Sequence, residues 1–428
     1  MDKRPNFLFF IPDQFRADWM GCASDLPVKT PNIDRLAAEG TRFTRAITPS
    51  PLCSPARACL ATGMGFENCG APTIYDNLPL DRRTYYQSLR ESGYHVSGVG
   101  KFDLHKADLD WGVDGSMLLD EYGFNEGIDS EGKGDAIWSY RKEGVIKGPY
   151  IKYLSEQGIL DQHLSMYEHS TGNLLFEAVT DLPDEAYCDN WIAQNGLDRL
   201  QEFSKEQPWH LVVNFAGPHD PYDVTASMRE KWKDVDFPQP IGNDQDDPEI
   251  ILLRQQNYAA MIENIDTQIG RYIDLLEERG ELDNTVIIFS SDHGEMLGDH
   301  NRWQKSIWYR GSVDVPLVVR GPAVGCHVSG ALVGFHDIGA TILDMAGAES
   351  LEGAHASSFK PVLIGESQIQ RRVNKSALND WRLVSDGRFK LVLREGEDPL
   401  LFDLKTDPDE HNNLSSEFPC KVDQLKSL

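Results

Sequence analysis

The chain has 428 residues, of which 40% are hydrophobic and 25% are charged, a balance typical of a globular protein with one large domain and an appendage. Its formal net charge of -27 argues against nucleic-acid binding, because contacts to phosphate groups need a basic surface. No apolar run approaches the roughly 20 residues of a membrane span, and seven cysteines without paired spacing argue against a disulfide framework.

Strand and helix signals alternate in the first part of the chain. The apolar run Asn6–Ile11 predicts a buried parallel strand. It is too short for the apolar core of a signal peptide and no small-residue cleavage site follows it, so we expect a cytoplasmic protein unless a leader has been removed. Thr30 and Pro31 predict a helix start. A second helix over Arg82–Ser92 and a strand at His95–Gly98 are predicted next.

The stretch Lys106–Asp189 has a different character. It is rich in glycine, acidic and aromatic residues and shows weak periodicity. We therefore predict a long irregular insertion that shapes a substrate pocket.

Regular structure returns after this stretch. Apolar strands are predicted at Trp209–Ala216, Thr285–Ser290 and Val315–Val319, an amphipathic helix at Glu249–Arg279, and another helix at Phe335–Ala346. Such alternation indicates an α/β fold with a large mixed, mostly parallel sheet flanked by helices on both faces. Residues 1–365 are predicted to form this catalytic domain, in which ligands gather at the carboxyl ends of the strands.

The pattern changes near residue 365. Short strands at Trp381–Ser385, Arg388–Leu393 and Leu400–Leu404 are joined by turn residues, and the Asp-Gly pair at 386–387 is typical of a hairpin. Residues 366–428 are therefore predicted to form a subdomain with a small antiparallel sheet.

Two predicted strands end in ligand-bearing side chains. Asp13 and Gln14 follow the first strand, and Asp292 and His293 follow the strand that ends at Ser290. Adjacent strands would bring these groups together. Oxygen-rich donors suit Ca²⁺ or Mg²⁺, with Ca²⁺ favoured, and the single imidazole leaves Mn²⁺ as an alternative metal. Strand-terminal aspartates that only cap loops are the structural alternative.

A cysteine motif carries a family resemblance. Residues 53–57 read Cys-Ser-Pro-Ala-Arg and resemble the Cys-x-Pro-x-Arg signature of type I sulfatases, within the alkaline-phosphatase superfamily. Residues 10–16, 291–300 and 400–410 are similar, in the family's order, to its two metal-binding segments and its C-terminal motif. The Asp-Gln and Asp-His pairs resemble choline-sulfatase-like and phosphonate-monoester-hydrolase-like branches.

The resemblance implies a set of roles. A maturation enzyme would oxidise Cys53 to formylglycine, which acts as the nucleophile and joins the metal ligands. The other implied groups are Arg57 and Lys101, which hold the diol or sulfate; His105, the base; His219, a sulfate ligand and general acid; and Lys305, which bridges sulfate and leaving group. Three positions depart from the commonest pattern: Ala56, Gln14 and His105, which stands two residues late with Asp103 at the usual spacing.

The implied function is hydrolysis of a small sulfate monoester, with a sulfated sugar, choline sulfate and an aryl ester all open. Hydrolysis of a phosphonate monoester or phosphodiester at the same site is the alternative, because the two anionic centres are similar in size. A metal phosphatase that uses unmodified Cys53 belongs to a different class of mechanism. A non-catalytic scaffold is disfavoured, since Cys53, Arg57 and the metal carboxylates are all present.

Overall fold

A computed structural model describes residues 4–167 and 175–428. The strands in these ranges are β1 (Asn6–Phe10), β2 (Thr41–Phe43), β3 (Ala46–Ile47), β4 (His95–Gly100), β5 (Glu126–Asp129), β6 (Glu177–Thr180), β7 (Trp209–Asn214), β8 (Tyr222–Thr225), β9 (Thr285–Ser290), β10 (Leu317–Arg320), β11 (His327–Ser329), β12 (Val333–Gly334), β13 (Asn374–Leu378), β14 (Trp381–Ser385), β15 (Phe389–Arg394) and β16 (Leu400–Asp403). The α-helices are α1 (Pro31–Glu39), α2 (Cys53–Thr62), α3 (Tyr85–Glu91), α4 (Leu119–Tyr122), α5 (Gly134–Glu143), α6 (Pro149–Glu156), α7 (Leu160–Met166), α8 (Cys188–Glu202), α9 (Ala226–Trp232), α10 (Pro248–Arg279), α11 (Arg310–Val313), α12 (Asp337–Ala346), α13 (Lys360–Leu363) and α14 (Pro419–Lys426).

The main sheet has eight strands in the order β11-β2-β10-β9-β1-β7-β4-β5. The run from β9 to β5 is parallel, and β10 adds an antiparallel strand beside β9. This confirms the predicted mixed, mostly parallel sheet.

Side chains of β1 alternate between two hydrophobic cores. Leu8 and Phe10 face the core that contains α8 and α10, whereas Phe7 and Phe9 face the core that contains α2 and α12. Period-2 alternation places successive strand side chains on opposite faces of a sheet. Helices therefore cover both faces, which is why every residue of β1 is buried.

The register of the parallel strands determines where the site forms. Phe10 of β1 is level with Phe289 of β9, and Gly100 of β4 is level with Asn214 of β7. The carboxyl ends of β9, β1, β7 and β4 consequently lie side by side, and polar residues that follow them meet at one edge.

The C-terminal sheet is antiparallel, with the order β13-β14-β15-β16, which confirms the predicted small sheet and adds the unpredicted strand β13. One of its faces packs with Ile47 and Val313 of the larger part, and the other packs with α14. The boundary near residue 365 stays a prediction.

The prediction for Lys106–Asp189 was wrong in one respect. The described part of this stretch contains α4 to α7, β5 and β6, and β5 extends the main sheet by pairing with β4; residues 168–174 lie outside the described residues. None of these four helices begins with a side-chain cap, and of the four only α6 has a proline in its first turn, so the start signals in this stretch are weak.

The long helix α10, in contrast, has clear capping residues at both ends. The predicted helix Glu249–Arg279 is present and begins one residue earlier, where Asp247 caps the backbone N–H of Glu249. It ends at Gly280, which adopts a left-handed conformation with φ of 67°, as glycine does readily. Within the described ranges, none of the helices combines the length and apolar character that a membrane span requires.

Candidate active site

Cys53 is the first residue of α2, a helix whose ten residues are all buried. Its N-terminal position puts the thiol where unpaired backbone N–H groups and the helix dipole favour negative charge. The Sγ atom lies 3.5 Å from Oδ1 of Asp13 and 3.2 Å from Nε2 of His293. The predicted nucleophile therefore sits against two of the predicted metal ligands.

Four buried donor groups converge at this point. One ligand atom from each of Asp13, Cys53, Asp292 and His293 lies within 4.8 Å of all the others. The parallel pairing of β1 with β9 brings the two aspartates together, as the sequence predicts. Two carboxylates, an imidazole and a thiol form a donor set that fits a divalent cation.

Asp13 and His293 are held in the protonation states that bind a cation. Burial alone would raise the pKa of Asp13, but neighbouring positive charge, chiefly that of Lys101, holds it well below its ordinary value. Burial lowers the pKa of His293, so its ring is neutral and able to act as a ligand.

Gln14 has a fixed amide orientation. Its Nε2 donates to Oδ1 of Asp220 at 3.1 Å and to Oε2 of Glu295, while its Oε1 accepts from Nζ of Lys305. A flipped amide would face two carboxylates with its oxygen, so only one orientation is compatible with these partners. The backbone N–H of Gln14 also donates to Asp292 at 3.1 Å.

Arg57 lies one turn along α2 and is buried. Its Nε donates to Oδ2 of Asp292 at 2.9 Å, and its Nη1 donates to the carbonyl of Lys101 at 2.6 Å and to Oδ1 of Asn214 at 2.9 Å. Its Nη2 has no hydrogen-bond partner and lies 3.7 Å from Oδ2 of Asp13. One face of the guanidinium is thus fixed, and one nitrogen is left to bind another acceptor.

Lys101 follows β4 and points at the same cluster. Its ammonium group contacts Oδ2 of Asp13 and lies 3.2 Å from Oδ2 of Asp103. Asp103 holds a left-handed backbone conformation with φ of 54°. Burial alone would raise its pKa, but its cationic neighbours, chiefly Lys101, lower it to about 2. The lysine is therefore held between two anionic carboxylates.

His219 and Lys305 form the outer side of the site. The Nε2 atom of His219 contacts Nζ of Lys305, and its Nδ1 lies 2.6 Å from the carbonyl of Asp220. The His219 side chain is 16% exposed, whereas Asp13 and Asp292 are fully buried. Solvent and substrate consequently approach from the side of this pair.

His105 does not join the cluster. Its ring is buried, its Nδ1 lies 3.4 Å from Oδ2 of Asp129, and it stacks on Tyr122. Burial lowers its pKa. No contact of His105 with Cys53 is found in the described part of the chain, so its assignment as the base stays a prediction without support from the geometry.

Several residues of the site escaped the sequence analysis. Asn214 is predictable from the sequence, because it ends β7, which lies between β1 and β4. Asp220 and Glu295 lie within two residues of predicted site residues, but no sequence signal separates a residue that orients Gln14 from an ordinary loop acid.

Comparisons with known proteins agree with this arrangement. A family model described as Sulfatase matches residues 5–348, and one described as N-sulphoglucosamine sulphohydrolase, C-terminal, matches residues 298–426. The chain is 27% identical to an arylsulfatase of Clostridium perfringens, covering 99% of this chain and 93% of the relative. It is also 27% identical to a choline-sulfatase of Rhizobium meliloti, covering 98% and 84%. The phosphonate monoester hydrolase of Agrobacterium radiobacter shares the fold, with a TM-score of 0.83, 24% identity, and coverage of 99% and 94%.

Proposed function

The chain belongs to the sulfatase family, a family of sulfuric ester hydrolases, and we propose that it hydrolyses a small sulfate monoester with a formylglycine made from Cys53. The observation that carries the proposal is the position of Cys53. It begins a buried helix and touches Asp13 and His293, with Arg57 one turn away. A maturation enzyme that oxidises this cysteine is the partner that the proposal requires.

We assign Asp13, Gln14, Asp292 and His293, together with residue 53, as the residues that hold one divalent cation. The carboxylate and amide oxygens favour Ca²⁺, and the single imidazole keeps Mn²⁺ and Mg²⁺ as alternatives. Such a cation supplies Lewis-acid polarisation of the nucleophile and offsets the charge of the sulfate group.

The cationic side chains bind the sulfate oxygens. A sulfate monoester is anionic and repels nucleophiles, so fixed positive charge must face it during the reaction. The unpaired Nη2 of Arg57 and the ammonium groups of Lys101 and Lys305 supply that charge. Because all three are anchored by other residues, they need little rearrangement when substrate binds.

His219 is suited to protonate the leaving oxygen. It lies on the exposed side of the site, and its Nδ1 is held by the carbonyl of Asp220. Its Nε2 lies beside Lys305, and in the imidazolium form of the ring this nitrogen carries a proton that it can deliver to an alkoxide leaving toward solvent. Hydrated formylglycine supplies one hydroxyl as nucleophile and a second whose deprotonation releases sulfate, so no water has to attack the covalent state.

Peptide mass spectrometry tests the nucleophile directly. In active enzyme, the peptide containing residue 53 should be about 18 Da lighter than the cysteine form, as conversion of a thiol to an aldehyde requires. Cys53→Ala should abolish turnover. Cys59→Ala is the matched control, because Cys59 is buried in the same helix and contacts Cys69 instead of the cluster. Active enzyme that contains only intact Cys53 would refute the formylglycine mechanism.

Phosphonate monoester or phosphodiester hydrolysis is the second candidate. Gln14 and His293 stand where the phosphonate-monoester-hydrolase-like pattern has the same residue types. The Gln14 side chain contacts Lys305, and the His293 ring contacts Cys53. Matched kinetics on an aryl sulfate and an aryl phosphonate ester decide between them. A kcat/KM higher by several orders of magnitude on the phosphorus ester would overturn the sulfate assignment.

A further inference from the structure

A cavity apart from the active site, called the second cavity below, lies between the edge strand β13 and the segment that follows α2. Its volume is about 510 Å³, within the range of about 300–1,000 Å³ that small-molecule sites span. Its lining includes Phe66, His336, His355, Arg371, Lys375 and Ser376. None of the residues assigned to the active site lines it, so it is a separate feature of the fold.

The lining is basic although the chain carries a net charge of -27. It includes Arg371, Lys375, Arg382 and Lys426, and Glu67 is its one acidic side chain. Arg382 pairs with Glu67 at 2.5 Å, and Arg371 pairs with a buried aspartate behind the wall. In the described ranges, the two lysines make no ion pair, so positive charge is left over in the cavity.

Two buried polar residues form part of the cavity wall. His336 is 4% exposed and Ser376 is 3% exposed, and both line the cavity. The Nδ1 of His336, the Oγ of Ser376 and the Nε of Arg371 have no hydrogen-bond partner. These three atoms are enclosed by protein, so a ligand in the cavity is held by the accessible donors of the wall.

His355 adds a donor of known direction. Its Nδ1 accepts a hydrogen bond from the backbone N–H of Gly65 at 3.1 Å. The proton of the neutral ring is therefore on Nε2, which is free to donate. Apolar side chains, among them Phe66 and Val373, complete the wall and give the cavity room for more than an inorganic ion.

We propose that this cavity binds a sugar-sized organic anion through its carboxylate or sulfate group. Lys375, His355 and Arg371 supply the charged and polar donors. The apolar wall packs against the carbon skeleton. This site is independent of the ester that the active site cleaves.

Calorimetric titration tests the site with defined probes. Glucuronate carries the carboxylate form of the anion on a sugar and has no sulfate to hydrolyse, and glucose is its neutral counterpart. Glucose 6-sulfate is titrated into the Cys53→Ala protein to prevent turnover. Both anions should bind and glucose should not. Failure of both anions to bind, or binding of inorganic sulfate alone, would overturn the proposal.

Variants locate the binding. Lys375 and His355 are exposed and lie outside the active site, so the double variant Lys375→Gln/His355→Gln should fold and keep its activity on an aryl sulfate. It should bind glucuronate at least about tenfold more weakly, because two donors to the anion are lost. Arg372→Gln is the control: it removes a charge from an exposed neighbour that does not line the cavity. Equal weakening by Arg372→Gln would contradict the assignment and indicate a general charge effect.

Discussion

Replacing Glu295 with glutamine should weaken metal binding by disordering Gln14. The fully buried carboxylate of Glu295 accepts from Nε2 of Gln14 with one oxygen. Its other oxygen accepts from the backbone N–H groups of Leu297 at 2.8 Å and Gln304 at 2.6 Å. Glutamine keeps the shape of the side chain but replaces one oxygen with an NH₂ group. That group must then face either Nε2 of Gln14 or the backbone N–H groups of Leu297 and Gln304, all of which are donors.

The size of the effect follows from that conflict. A buried donor left without an acceptor costs about 1–3 kcal/mol, which corresponds to about 5- to 150-fold in an equilibrium constant. If the new NH₂ group faces Gln14, the Gln14 amide can rotate away from this donor. Its oxygen then no longer lies beside Lys305. Changes to residues that orient a metal ligand typically cost about 10- to 100-fold in metal affinity, so Glu295→Gln should lie in that range.

Calorimetric titration of Ca²⁺ into the metal-depleted protein measures this effect, with unfolding in denaturant measured in parallel. Glu131→Gln is the matched control. Glu131 is also fully buried and accepts from the backbone N–H groups of Tyr150 at 3.3 Å and Ile151 at 2.8 Å, but it does not contact the four-donor cluster. Both variants should lose stability, and only Glu295→Gln should lose Ca²⁺ affinity. Equal Ca²⁺ affinity in the two variants would refute the reasoning.

Two further changes test other parts of the structure. Arg57→Lys removes the forked donors to Asp292 and Asn214, so kcat on an aryl sulfate should fall by about 100-fold or more; steady-state kinetics within threefold of the native enzyme would contradict this role. Asp266 accepts from the backbone N–H groups of Asn32 and Ile33 at the start of α1, and burial raises its pKa to about 6, above about 4 in the unfolded chain. Between those two pKa values the folded protein binds more protons than the unfolded chain. Its free energy of unfolding should therefore fall by about 2 kcal/mol as pH rises from 4 to 6, measured relative to the Asp266→Asn variant. Urea titrations that show no such difference between the two proteins would mean that the pKa of this carboxyl is not raised.

The sequence was informative where chemistry follows directly from strand order. Asp13 and Asp292 each follow an apolar run, and β1 and β9 are parallel neighbours, so the rule for strand ends brought them together correctly. The cysteine motif could be recognised because its residues are consecutive on α2. In both cases, a short local pattern contains the information.

Features built by distant segments could not be predicted. Gln14, Asp220 and Glu295 meet through three separate loops, and their hydrogen bonds depend on side-chain positions that no local pattern encodes. The second cavity arises where β13 packs beside the segment after α2, about three hundred residues away in the chain. Loop acids and scattered basic residues give no periodic signal, so only the folded arrangement reveals them.

His105 is the position at which sequence and structure give different expectations. By motif order it is the base, but in the fold it lies 3.4 Å from Asp129 and does not reach Cys53, whereas Asp103 lies 3.2 Å from Lys101. We therefore expect His105→Gln to keep kcat within about threefold, since a general base normally contributes about 100-fold or more. Asp103→Asn should lower kcat further, because Lys101 loses one of its two anionic partners. Steady-state kinetics on an aryl sulfate, with thermal unfolding as the check on folding, decides the matter. A folded His105→Gln protein that has lost turnover would show that motif order was the better guide and that this ring moves toward residue 53 during the reaction.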